Sequence, residues 1–171
     1  MASDTANEPQ DFFAGLQQDH ARIEARLKEL DQAAATLSRS ESDPAALGIL
    51  AGTLDFFASE GARHEAHEEL ILFPRLRSLP EFRQIIGALE FQHRMNAAEG
   101  RELSACVAGF GPGSGRELRR LAYRFAEMHR GHAIAEERAL FPLALARLSP
   151  EVQAEMAREA RERNAPSQPR G

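Results

Sequence analysis

One pattern occurs twice in this chain and limits what the chain can become. His64-Glu65-Ala66-His67-Glu68-Glu69-Leu70-Ile71-Leu72-Phe73-Pro74 and His132-Ala133-Ile134-Ala135-Glu136-Glu137-Arg138-Ala139-Leu140-Phe141-Pro142 both read H-x-x-x-E-E-x-x-L-F-P. On a helix, residues four apart lie one turn apart on the same face. His64 and Glu68 therefore aim an imidazole and a carboxylate at one place, and His132 and Glu136 do the same. The fold must bring two such helices together around a buried polar layer.

The rest of the chain reads as more helices of the same kind. Phe13, Leu16, His20, Ile23, Leu27, Leu30, Ala34 and Leu37 recur at steps of three and four, the seam of a bundle helix. Asp43-Pro44 is a start signal, a capping carboxylate before proline at the first helical position. Leu47, Leu50, Leu54, Phe57, Gly61, His64, Glu68 and Ile71 follow, with a bend or stop expected near Pro74. A third helix opens at Leu79-Pro80-Glu81, with Phe82, Ile86, Leu89, His93, Asn96, Gly100, Leu103 and Val107 on its seam. Gly109-Phe110-Gly111-Pro112-Gly113 ends it. Ser114-Gly115-Arg116-Glu117 reads as a capping box for a fourth helix. That helix turns Leu118, Leu121 or Ala122, Phe125, His129, His132, Glu136, Leu140 and Leu143 inward. Ser149-Pro150-Glu151 starts a short fifth helix, to about Arg163, with Val152 and Met156 as its apolar contacts.

Short connections make neighbouring helices antiparallel. The expected fold is all-α: an up-down-up-down four-helix bundle with a short C-terminal helix, over residues 9–163. Residues 1–8 read as a flexible start, Pro9 as part of the first helical turn, and residues 164–171 as a disordered tail.

In that topology His20, His93 and the two His/Glu pairs fall at one level, roughly 15–22 Å from one end at about 1.5 Å per residue. Six metal-ligating side chains on four helices then meet. A lone seam histidine is more often a hydrogen-bonded core residue than a ligand. A seam glutamate is harder to accommodate, since a buried carboxylate without a partner costs several kcal/mol. The seams carry no lysine or arginine to neutralise Glu68 or Glu136. Imidazole and carboxylate without thiolate suit iron, manganese or zinc, and six ligands exceed the usual four of a closed zinc site. The spacing is neither the zincin H-E-x-x-H nor the ferritin-like E-x-x-H.

Composition narrows the function. A formal net charge of −5 with no basic block disfavours a nucleic-acid partner. No segment reads as a membrane span, and the first residues lack the basic and apolar regions of a secretory leader. The single cysteine, Cys106, fits a reducing compartment, so a cytoplasmic location is expected.

At Asp19-His20, the two H-x-x-x-E-E-x-x-L-F-P stretches and His93, the chain resembles the hemerythrin-like, or HHE cation-binding, family over about residues 10–147. The resemblance implies a bundle holding a non-haem di-iron centre with an oxo or hydroxo bridge; manganese or zinc fits less well. Carried over by position, His20 and His64 would bind one iron, His93 and His132 the other, and Glu68 and Glu136 would bridge. The oxygen carriers of the family bring a second histidine from the third helix, four residues from the first. Here Leu89 and Ala97 flank His93 at that spacing, so the fifth histidine is missing. Glu65 and His129 are candidates for an additional ligand or for hydrogen-bond support of the ligands; His67 points about 60° off His64, toward the surface or such a supporting role. The implied activity is binding of O2 or a related diatomic or peroxide, for sensing, delivery or detoxification. Iron handling, a di-iron oxidase or peroxidase, and a metal-stabilised partner-binding bundle remain as alternatives.

Overall fold

The computed structural model describes residues 11–40 and 43–165. The flexible start with Pro9, and all of the expected tail beyond Ala165, lie outside the described residues. Helix α1 is Phe12–Leu37. The Asp11 carboxylate caps it, accepting from the Phe13 and Ala14 amides. Helix α2 (residues 44–76) is one rod of α-helical segments Pro44–Phe56, Ala62–His67 and Phe73–Leu76, joined by π-helical turns at Phe57–Gly61 and Glu68–Leu72. Asp43 caps it as expected, with Pro44 in the first turn. A single 3₁₀ turn, Pro80–Phe82, leads into α3, Arg83–Ala108. Helix α4 (residues 115–147) runs Gly115–Ala135, a π-turn Glu136–Leu140, and Phe141–Arg147. Helix α5 is Pro150–Asn164.

α1 packs on α2 and α4, and α3 on α4 and α2, so the four long helices close a square. The buried apolar residues form two clusters. One, at the end where α1 and α3 start, holds Phe12, Leu16, Phe73, Phe82, Ile86 and Phe141, and is closed by Met156 and Ala157 of α5. The other, toward the opposite end, holds Ile23, Leu30, Leu50, Leu103, Leu118 and Phe125. No helix among the described residues is long and apolar enough to cross a membrane.

The rod α2 ends at Leu76, near Pro74 as expected, and two other local expectations need correction. The Phe73 amide reaches back five residues to the Glu68 carbonyl, and the Phe141 amide to that of Glu136. The wider turn accommodates both the missing proline donor and the ring's clash with the preceding turn. The extra residue per π-turn shifts the register beyond it. Leu143, expected inward, is 48% exposed, and Ala144 takes its place in the core. The capping box does not form either. Ser114 has helical φ/ψ and makes no capping bond; its hydroxyl accepts from the Gly111 amide, and Glu117 pairs with Arg120.

Candidate metal centre

Between the two apolar clusters lies a polar layer. It contains His20 from α1, His64 and Glu68 from α2, His93 from α3, and His132 and Glu136 from α4, all buried. Their ligand atoms fall into two groups that share both glutamates: His20, His64, Glu68 and Glu136, and Glu68, His93, His132 and Glu136. Within each group the atoms lie within 4.8 Å of one another.

Each carboxylate turns one oxygen to each group. Glu68 Oε1 is 3.3 Å from His64 Nε2, while Oε2 is 3.2 Å from His93 Nε2 and 3.7 Å from His132 Nε2. Glu136 Oε2 is 3.0 Å from His20 Nε2, and Oε1 is 3.3 Å from His132 Nε2. Both glutamates are the first residues of their π-turns, and both are 0% exposed.

The histidines are oriented from behind. His20 Nδ1–H donates to Glu137 Oε1 at 2.8 Å, and His93 Nδ1–H to Glu69 Oε1 at 2.8 Å. His132 Nδ1–H donates to Gln92 Oε1 at 3.0 Å, and His64 Nδ1 lies 3.5 Å from Asp19 Oδ2. The three hydrogen bonds fix the tautomers of His20, His93 and His132 and leave each Nε2 as the free donor atom for a metal. Two more polar residues thus act at each level of the repeat. The second glutamate of each E-E doublet orients a histidine on another helix. The residue before His20 or His93 faces the histidine of the repeated motif. None of Glu69, Glu137 and Gln92 was assigned this role from sequence. The recurrence of the doublet was the available signal.

Charge balance at the layer is unusual. Burial opposes ionisation of Glu68, yet His64, His132 and His93 hold its carboxyl well below the usual range. Burial also disfavours charged His64 and His132. Glu68 and Asp19 raise the first to about 9, and Glu136 with Glu68 raises the second to about 10. Hydrogen bonding does not satisfy the layer. Among the described residues, both Glu68 oxygens, Glu136 Oε1 and both His64 nitrogens have no partner in bonding geometry. His93 and His132 face each other Nε2 to Nε2 at 3.2 Å. Two lone pairs at that distance repel unless a proton or a cation lies between them. The donor set therefore fits cations held between the helices.

A scan against family profiles matches the Hemerythrin HHE cation binding domain over residues 11–144. The chain belongs to the hemerythrin HHE cation-binding domain family. A search of the curated proteins found no match. The HHE assignment and the two His/Glu groups agree on a helical bundle with groups that could hold a metal.

The other candidate residues of this HHE domain take separate places. Glu65 and His129 lie outside both groups, on the wall of a cavity that reaches the layer. His129 Nδ1–H donates to the Phe125 carbonyl at 3.0 Å, and its ring packs on Phe57 and Phe125. Burial pulls its pKa down to about 4, so the ring is neutral. Burial raises the Glu65 carboxyl. His67 is covered by α5, with Nε2 3.1 Å from Oδ1 of Asn164, the last residue of that helix. Ala97, where a fifth imidazole would stand, lines the same cavity as Glu65 and His129.

Proposed function

We propose that this HHE domain is a dinuclear iron protein that binds O2 or a related diatomic or peroxide. One observation carries the reading: each of Glu68 and Glu136 offers one oxygen to either histidine pair. One metal would not need that division, and two metals side by side would. In this reading His20 and His64 hold one iron, His93 and His132 hold the other, and Glu68 and Glu136 bridge.

Two ferrous ions would supply the electrons for reversible binding or reduction of a small oxidant. The chain's own residues supply the surroundings. Glu137, Glu69 and Gln92 hold three imidazoles in their tautomers; Phe141 and Phe73 stack on His20 and His93 at 5.8 and 6.0 Å between centroids. The opening past Ala97 gives a small oxidant and water a route to the layer. Rapid oxidation is therefore expected to compete with reversible release, favouring sensing or detoxification over durable carriage. Half-buried Cys106 fits a reducing, cytoplasmic setting.

The test is an absorption spectrum of iron(II)-loaded, anaerobic protein on addition of O2. A new near-ultraviolet or visible band should form and then change within minutes as the iron oxidises. Ala97→His should slow that second change. A spectrum untouched by O2, with iron bound, would contradict the oxidant-binding reading.

A further inference from the structure

Beside the layer, between α2 and α3, lies a cavity of about 430 Å³. A water takes about 30 Å³ of liquid, and O2 needs little more, so the space is an order of magnitude larger than a diatomic requires. It is within the range of small-organic-molecule sites. His20, His64 and His132 form part of its wall, and exposed Ala58, Ala62 and Ala97 flank its mouth. Gly61 leaves room for the Phe57 ring on the α2 side of the wall: a Cβ there would come within 3.1 Å of Phe57 Cδ1.

The polar groups in this space are specific. Asn96 is 3% exposed, and among the described residues neither its amide oxygen nor its amide nitrogen has a hydrogen-bond partner. A buried amide left so costs about 1–3 kcal/mol, and a ligand would relieve it. His129 commits its Nδ1–H to a carbonyl, which leaves Nε2 as an acceptor. Phe57, Phe125 and His129 pack as an aromatic wall, with centroids 4.3–4.8 Å apart.

We propose that this cavity binds a small neutral hydroxyl-bearing aromatic molecule, its ring against Phe57 and Phe125 and its hydroxyl at Asn96 and His129. A hydroxyl both donates and accepts, which matches an amide and an imidazole acceptor together. A carboxylate carries no hydrogen for either the Asn96 oxygen or the His129 nitrogen, and Glu65 and Arg101, both on the cavity wall, offset each other, so the lining offers no net charge to select an anion or a cation. The site goes beyond oxidant binding and holds whichever metal fills the layer; occupancy would set an organic molecule directly against the histidines.

The experiment is calorimetric titration of the metal-loaded protein with para-cresol and with toluene, metal content being measured on the same samples. Para-cresol should bind one per chain and at least tenfold more tightly than toluene. Ala97→Phe, at an exposed position on the rim, should abolish binding of both with metal content unchanged. Asn96→Leu should bring the two affinities within about twofold. Para-cresol binding no tighter than toluene, absent altogether, or surviving Ala97→Phe overturns the proposal, whatever the metal analysis shows.

Discussion

The two glutamates of each E-E doublet grip the same histidine of another helix from its two ring nitrogens. Glu136 turns an oxygen to His20 Nε2 while Glu137 takes the Nδ1–H of the same ring, and Glu68 and Glu69 do likewise for His93. Loss of such a partner typically lowers metal affinity 10–100-fold. Glu137→Ala or Glu69→Ala should show that loss in chelator competition, while exposed Glu127→Ala should not. His64→Ala and His132→Ala should lower metal content far more than His67→Ala, which faces α5. Equal losses in all three would show that the layer is wrongly drawn. The pH response follows from the raised histidines. In the metal-free protein, folded-state values of about 9 for His64 and about 10 for His132 lie above the ordinary 6.5. Their stabilising charge is fully present below about 6.5 and is lost as pH rises through about 9 to 10. A metal must displace those protons, so its affinity should climb between pH 6 and 9 with measurable proton release in weak buffer. Metal uptake without proton release would contradict this. The six central residues were legible because the four-residue spacing and the seams point at one level. The roles of Gln92, Asn96 and the second glutamates were not, since a seam position or a repeated doublet does not say which group on another helix a side chain meets.

At the scale of elements, the π-turns decide what the sequence periodicity could not. Steps of three and four describe Phe12–Leu37 and Arg83–Ala108 well, because those helices carry no proline inside. In α2 and α4 the Phe-Pro pair forces a five-residue turn at the glutamate, and the register shifts by one beyond it. Leu143→Ala should therefore change stability by less than about 0.5 kcal/mol, whereas Leu140→Ala, fully buried, should cost about 2–5 kcal/mol. Urea unfolding reads both; a large cost at Leu143 would mean an unbroken α-helix through Pro142. The missed capping box has the same lesson on a smaller scale. The S-x-x-E letters were present, but Ser114 is already helical and serves the Gly111 turn, and Glu117 has a nearer partner in Arg120.

Across the described residues, a polar layer divides two apolar clusters, and the helices meet there with buried carboxylates that only histidines face. Removing metal should weaken the bundle as a unit, because Glu68 and Glu136 then rely on imidazolium charge alone. Met156, buried at 0% exposure, should act independently: Met156→Ala should cost about 2–4 kcal/mol and leave metal content unchanged, since Met156 packs in the apolar cluster beside the layer and that cluster holds none of the six ligand residues. Bundle topology and the level of the site were legible from seam spacing and short connections. The cavity was not, because it depends on which small residues face one another across α2 and α3. The central claim is that two metals share Glu68 and Glu136, and elemental analysis of protein loaded anaerobically with iron(II) and freed of excess tests it most directly. About two iron atoms per chain should be retained, falling below about one in Glu68→Ala or Glu136→Ala. A ratio near one in the unaltered protein, or two retained in both variants, would contradict it.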